Sequence, residues 1–344
     1  MARSITLTLG TPLGETLGPN FNLSANYGTI TPSTATKDEL LAGKVVIVDD
    51  LAVGITITST GYCTNSITGS IPCSPLSPIV SAFVTASGIT GSAIFSVQTL
   101  YTELSGSNLF NKMYAIYPFV GANANSHRYN LVNTGSYTIT FNGPWIHDSN
   151  GITNPGCANQ YSTICAYANT GIIPNTFNKA TSSFPGDEWV VSSSMHFYSR
   201  TNGASGVDMG SYSSGGGQSI LIAKYTGSNS DSSIYQNTNN ITGSFQQNAT
   251  GLFGGTTLEI PSGSSGVYRN GVKLCGFVNF VPQTEPSSAP LYIGANNYIL
   301  NPGAEEFTNR NYAFAAVGKG LTQNEMATLY TIVQNFEISL NRAV

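Results

Sequence analysis

Charge is what this sequence has least of. Only 9% of its 344 residues are Asp, Glu, Lys or Arg, against about a quarter in an ordinary soluble domain. Long solvent-exposed helices need Lys, Glu and Arg on their outer faces, so the shortage argues against a mainly helical protein. The 13 Lys and Arg form no cluster and the net charge is −4, which leaves nucleic acid and anionic membrane surfaces without support as partners. No apolar run approaches the roughly 20 residues of a membrane span. The start, Met1-Ala-Arg-Ser, lacks the apolar core of a signal peptide, so synthesis in the cytoplasm is expected. Cysteine is sparse and odd in number: Cys63, Cys73, Cys157, Cys165 and Cys275. Cys63/Cys73 and Cys157/Cys165 could each close a short loop. Without an export signal, reduced thiols are the expectation, and no CxxC or zinc spacing is present.

What fills the space is Gly (37), Ser, Thr and Asn, with 18 Tyr, 16 Phe and 40% hydrophobic residues overall. That mixture favours short strands joined by many tight turns and argues against disorder. The chain is organised around residues 291–340. A strand-like run at 291–295 is followed by another at 312–317, then by the clearest helix start in the sequence. Thr322 stands three residues before Glu325, a capping box, with Leu321 and Met326 placed as a hydrophobic staple. Met326, Leu329, Tyr330, Val333, Phe336 and Leu340 then recur at helical spacing.

Residues 1–71 read as a small β-sandwich-like module of five or six strands. Its one short helix opens at a second capping box, Thr36 with Glu39. Pro72, Pro75 and Pro78 mark a semi-rigid linker over 72–80. Two short helices broken at Gly106 are expected within 79–118, and then a buried strand over 115–120. From 126 to 280 the pattern is short strands and turns: 137–141, 189–191, 195–198, 220–225 and a hairpin over 266–280. Asn270-Gly271 supply the hairpin's type I′ turn. Residues 81–344 are thus expected to form a jelly-roll sandwich with a few short helices, one of them C-terminal.

The order "YRNGVKLCGF", "PLYIGANN", "NRNYAFAAVGKGLTQNEMATLYTIVQNF" is similar to the end of concanavalin A-like lectin/glucanase domains of the laminin-G type. "AIYPFVGANANSHRYNL" and "HFYSRTN" resemble a family of bacteriophage virion proteins, especially of phages infecting Bacteroidetes and related hosts. "ITPSTATKDELLAG" and "VGITITSTGYCTNSI" look like phage structural modules. The resemblance implies a non-enzymatic virion protein of the capsid exterior or tail, made in the host cytoplasm. Its partners would be other virion proteins, copies of itself and a host-surface glycan. The rival readings are a virion-associated polysaccharide depolymerase on the same fold and a bacterial surface adhesin, the latter needing a signal peptide.

Sugar recognition stacks an aromatic ring on a sugar face, and Trp145, Tyr161, Trp189 and Tyr212 are the candidate platforms. Trp145, between Pro144 and a polar loop, looks the least core-like. A glucanase on this fold needs two carboxylates on one strand face. Asp187-Glu188 and Glu305-Glu306 are adjacent pairs in turn-like sequence and do not provide them, so no catalytic residue is assigned. His127, His147 and His196 are scattered and make no metal triad. His147-Asp148 beside Trp145 has the makings of a dyad, but no nucleophile elbow accompanies it. No cofactor is expected. The resemblance leaves calcium as the one candidate ion, with Asp148, Asp187, Asp208 and Asp231 as potential oxygen ligands and none assigned.

Overall fold

The computed structural model describes residues 2–8, 19–49, 52, 54–60, 66–70, 76–157, 165–176, 192–203, 206–213, 218–225, 231–236, 239–245, 248–258, 264–276, 287–298 and 303–344. The chain divides into two units, Met1–Leu76 and Ser77–Val344.

The small unit holds β1 (Ala2–Leu7), β2 (Asn20–Ala25), β3 (Ile30–Thr31), β4 (Thr34–Thr36), α1 (Lys37–Ala42), β5 (Lys44–Asp49), β6 (Gly54–Thr60) and β7 (Ser66–Ser70). They form a three-stranded sheet, β1-β5-β3, and a four-stranded sheet, β4-β2-β6-β7. Alternation explains how each strand closes the core. Phe21 and Leu23 of β2, Val46 and Val48 of β5 and Ile55 of β6 are buried together with Leu40 of α1. Val45 and Ile47, one residue out of phase, are exposed. The Thr36/Glu39 capping box is formed, and Gly43 ends α1 at φ +91°.

The large unit begins at the proline-rich stretch that sequence reading gave to a linker. Pro78 instead sits in the first turn of α2 (Pro78–Ser87), with the Ser77 hydroxyl accepting from the Val80 amide. Proline fits there because a first-turn amide has no helical partner to lose. α3 (Ser92–Gly106) follows, so the helix pair lies before Gly106 rather than astride it. Beyond it come a single 3₁₀ turn at Phe110–Lys112, β8 (Met113–Tyr117) and α4 (Ala124–His127).

Two sheets then face each other. The first contains β10 (Ile146–Asp148), β11 (Gly151–Thr153), β24 (Asn311–Gly318), β13 (Ser192–Ser199), β18 (Gly251–Leu258), β19 (Gly266–Arg269) and β20 (Val272–Gly276), in that order, with β8 also paired to β24. The second runs β17 (Asn239–Phe245), β16 (Asp231–Gln236), β15 (Gln218–Tyr225), β14 (Met209–Tyr212), β21 (Tyr292–Ile293), β12 (Tyr167–Asn169), β9 (Thr140–Asn142). β22 (Asn296–Tyr298) and β23 (Gly303–Glu305) branch from β14. Met195, Phe197, Phe253, Ala315 and Val317 from the first sheet share one core with Ala168, Met209, Leu221 and Ile293 from the second. The unit is a β-sandwich, and the protein is mainly β.

The residues that alternate outward on the first sheet are also buried, because α5 (Gln323–Ser339) packs there against β18 and β20, with α3 beside it. The Thr322 hydroxyl accepts from the Glu325 amide at 3.3 Å, and the Glu325 carboxylate accepts from the Thr322 amide at 2.9 Å. Lys112 Nζ donates to the same carboxylate at 2.6 Å. Met326, Leu329, Ile332, Val333 and Phe336 form the buried stripe. Thr322→Ala leaves a first-turn amide without its acceptor, and urea unfolding is expected to show a loss of about 1 kcal/mol.

Candidate ligand-binding face

The second sheet presents its outward residues differently. Ala168, Met209 and Ile293 point into the core, so their strand neighbours Tyr167, Tyr292 and, three residues on from Met209, Tyr212 point out. β22 pairs in parallel with β14, which sets Tyr298 directly beside Tyr212. The two rings stack at 4.5 Å between centroids with planes 12° apart. Tyr167 and Tyr292 repeat the arrangement at 4.6 Å and 21°. All four rings are partly exposed. Lost hydration, then the neighbouring phenol, pushes Tyr292 and Tyr298 above the ordinary phenol range. Both therefore stay neutral and keep an O–H to donate.

Buried amides brace this face. Asn154 Nδ2 donates to the Ala166 carbonyl at 2.8 Å and to the Gly294 carbonyl at 3.1 Å, next to Tyr167 and Tyr292 in sequence. Asn297 Nδ2 donates to the Pro290 carbonyl at 2.7 Å, and Asn296 Nδ2 to the Glu306 carboxylate at 3.2 Å. The ties to Gly294 and Pro290 hold the turn between β21 and β22, so Tyr292 and Tyr298 stand on braced backbone.

Of the two expected platforms among the described residues, Trp145 and Tyr212, it is Tyr212 that lies on this face. Tyr161 and Trp189 lie outside the described residues. Trp145 must be corrected: it is 8% exposed and belongs to the sandwich core. Phe141 meets it edge-on at 5.9 Å. Gly294 makes room, since a Cβ there would sit 3.0 Å from Trp145 Cη2. Sequence reading missed Tyr167, Tyr292 and Tyr298. Period-two alternation in "CAYAN" and "PLYIG" was the available signal, but it could not reveal that the rings pair.

The other sequence candidates resolve into structure. His147 does not pair with Asp148, whose carboxylate accepts from the Asn150 amide at 2.7 Å. Its Nδ1 meets His127 Nδ1 at 3.0 Å instead. Asp208 is committed to an internal network. It is fully buried, taking Arg310 Nε at 2.7 Å, the Tyr312 hydroxyl at 2.8 Å and the Ala223 amide at 2.8 Å. Asp187 lies outside the described residues, as does the Asp231 side chain. Among the described residues no group of three or more His, Cys, Asp or Glu is placed to hold a metal. Cys157 and Cys165 are joined as a disulfide, with Cα atoms 4.8 Å apart, which overturns the expectation of reduced thiols there.

No protein-family model and no curated protein matches the chain. Among solved structures it is similar to domain 4 of an extracellular GH43 arabinanase from Geobacillus stearothermophilus bound to arabinotriose. That likeness has 13% identity and a TM-score of 0.36 over 63% of this chain and 98% of that one. Botulinum neurotoxin type C, described as depending on two ganglioside molecules for cell entry, gives 12% identity and a TM-score of 0.42. The match covers 67% of this chain and 53% of the toxin chain. A Trypanosoma rangeli sialidase gives 12% and 0.40 over 80% of this chain and 42% of its own. The chain thus spans about half or less of the latter two. With every TM-score below 0.5, these likenesses carry no argument about what the chain binds or does.

Proposed function

We propose that the large unit binds glycans without cleaving them, through the face that carries Tyr167, Tyr292, Tyr212 and Tyr298. The observation that carries this reading is the Tyr212–Tyr298 stack beside a second, like pair. Paired phenols give broad apolar ring surface to the C–H face of a sugar and hydroxyls to its O–H groups. Retaining or inverting hydrolysis needs two carboxylates set across the glycosidic bond. The carboxylates described near this face are the adjacent Glu305 and Glu306, and Glu306 is engaged by Asn296. Adhesion fits that inventory better than catalysis.

The biological setting we propose is the outside of a bacteriophage particle, as a decoration, head-fibre or tail protein assembled with copies of itself and other virion proteins. Its support is the sequence resemblance of 115–131 and 196–202 to virion proteins. Many copies on one particle turn weak single contacts into firm attachment.

The test is a host-envelope glycan array, with product analysis by mass spectrometry and solution mass by light scattering. Retained, uncut glycans are expected. The Tyr212→Ala/Tyr298→Ala pair is expected to weaken retention by about tenfold, near 1.4 kcal/mol. Retention unchanged in that variant would sink the platform, and shortened glycans would favour the depolymerase. A strictly monomeric chain would count against the particle setting.

A further inference from the structure

We propose that the small unit carries a saccharide-binding groove of its own, selective for neutral sugars and separate from the tyrosine face. The groove has a volume of about 420 Å³ and is lined chiefly by Asn20, Asn22, Thr34, Thr36, Glu39 and Lys44. Strand pairing sets these side chains in ranks, with Asn20 opposite Thr36 and Asn22 opposite Thr34 across β2 and β4. All four are exposed while Phe21 and Ala35, between them, are buried. An amide or a hydroxyl both donates and accepts. Two ranks of such groups, about 4.8 Å apart across the strands, match the adjacent hydroxyls of a sugar ring, each of which also does both.

The charged pair at one end sets the selectivity. Glu39 Oε2 accepts from the Thr36 amide at 2.8 Å and from its hydroxyl at 3.3 Å. Its Oε1 accepts from Lys44 Nζ. The hydrogen bond from Lys44, then that from the Thr36 backbone, holds the carboxyl below its ordinary range. Glu39 is thus an occupied anion, and Lys44 has two further N–H groups to offer an acceptor. The pair carries no net charge, so it gives a charged ligand no net attraction, while the remaining Lys44 N–H groups can donate to a sugar hydroxyl. Glu39 is also the one carboxylate among the described lining residues, so the groove lacks the acid pair of a glycosidase. A peptide adding to β4, which ends its sheet, would use backbone groups and leave the asparagine amides alone.

The experiment uses the full chain, ¹⁵N-labelled, in the Tyr212→Ala/Tyr298→Ala background, so that the large unit's platform is already impaired. Cellohexaose, laminarihexaose, mannohexaose and chitohexaose (as the N-acetylated form) are titrated to millimolar concentration. The side-chain amide signals of Asn20 and Asn22 are followed. Saturable shifts with at least one of these are expected. Adding Asn22→Ala and Thr34→Ala, both at exposed positions, should weaken that affinity about tenfold or more with the unfolding midpoint unchanged. Silence of both amides with all four sugars overturns the proposal, as does affinity indifferent to those substitutions. Shifts produced only by an extended peptide, and confined to β4 backbone amides, overturn it in favour of strand addition.

Discussion

Asp208→Ala is expected to lower the stability of the large unit by about 3–5 kcal/mol, on the order of 10 °C in Tm. Asp208 lies just ahead of β14 in one sheet, whereas Arg310 and Tyr312 flank the start of β24 in the other. The ion pair therefore crosses the sandwich. Neither side chain is exposed. Burial raises the Asp208 carboxyl above its usual range despite the pull of Arg310 and the hydrogen bonds from Ala223 and Tyr312. Desolvation thus outweighs attraction, and the pair adds little net stability while intact. Breaking it is another matter, because a guanidinium is then left buried without its counter-charge. It follows that Asp208→Leu combined with Arg310→Met should lose much less than the sum of the single changes, since no buried charge is stranded. Urea unfolding of the four proteins makes the double-mutant cycle. A single-variant loss below about 1 kcal/mol, or strict additivity, would show that the pair behaves as a surface contact.

A second buried cation shows the same logic near the chain's end. Arg342 donates to Glu337 at 2.5 Å and to the carbonyls of Phe119, Pro118 and Ala313 at 2.9, 2.7 and 2.9 Å. Phe119 is held at φ +42°, in the left-handed region that a bulky residue seldom occupies. The guanidinium binds the very carbonyls that this turn points inward.

These two clusters mark what the sequence could and could not announce. Interactions closed within a few residues were legible: both capping boxes and the Asn270-Gly271 turn, whose φ values are +49° and +75°. Their partners are fixed by local backbone geometry, so spacing alone identifies them. Asp208 with Arg310, Tyr212 with Tyr298 and His127 with His147 are brought together by sheet order, which no local period encodes. Trp145 misled for a related reason. Its neighbours in sequence are proline and polar residues, but its neighbours in space are Phe141, Gly294 and Tyr312. The cysteine pair misled differently, because the expectation rested on compartment rather than on geometry. On the candidate face, period-two alternation was a signal that went unread for Tyr167 and Tyr292, and the Tyr212–Tyr298 stack depends on β22 pairing alongside β14.

Acid should weaken the large unit through its buried histidines, over a range that opens above the ordinary carboxylate pKa. His196 lies on β13 beneath α5. A Cβ added at Gly254 would come 2.6 Å from its Nδ1 and 2.5 Å from Met326 Cε. Neither ring nitrogen has a hydrogen-bond partner among the described residues. Burial alone depresses its pKa from 6.5 to about 3. His127 is likewise taken to about 3, by burial first and then by His147 and Arg342. A base depressed in the folded state is protonated first in the unfolded chain. The stability that goes with keeping it neutral is complete above pH 6.5, and it is lost progressively as pH falls from there towards 3. At pH 5 each ring accounts for about 2 kcal/mol, so the two together remove about 4 kcal/mol relative to pH 7. Asp208 and Glu337, raised by burial, titrate in the opposite sense, so the histidine contribution is best read as a difference between proteins. His196→Leu puts a side chain of similar bulk between Gly254 and Met326 and removes one titrating group. Its stability should fall less steeply between pH 6.5 and 5, by up to about 1.4 kcal/mol per pH unit. Equal slopes in wild type and variant, or an NMR titration of His196 near 6.5 in the folded protein, would mean that water reaches the ring and that α5 does not seal it.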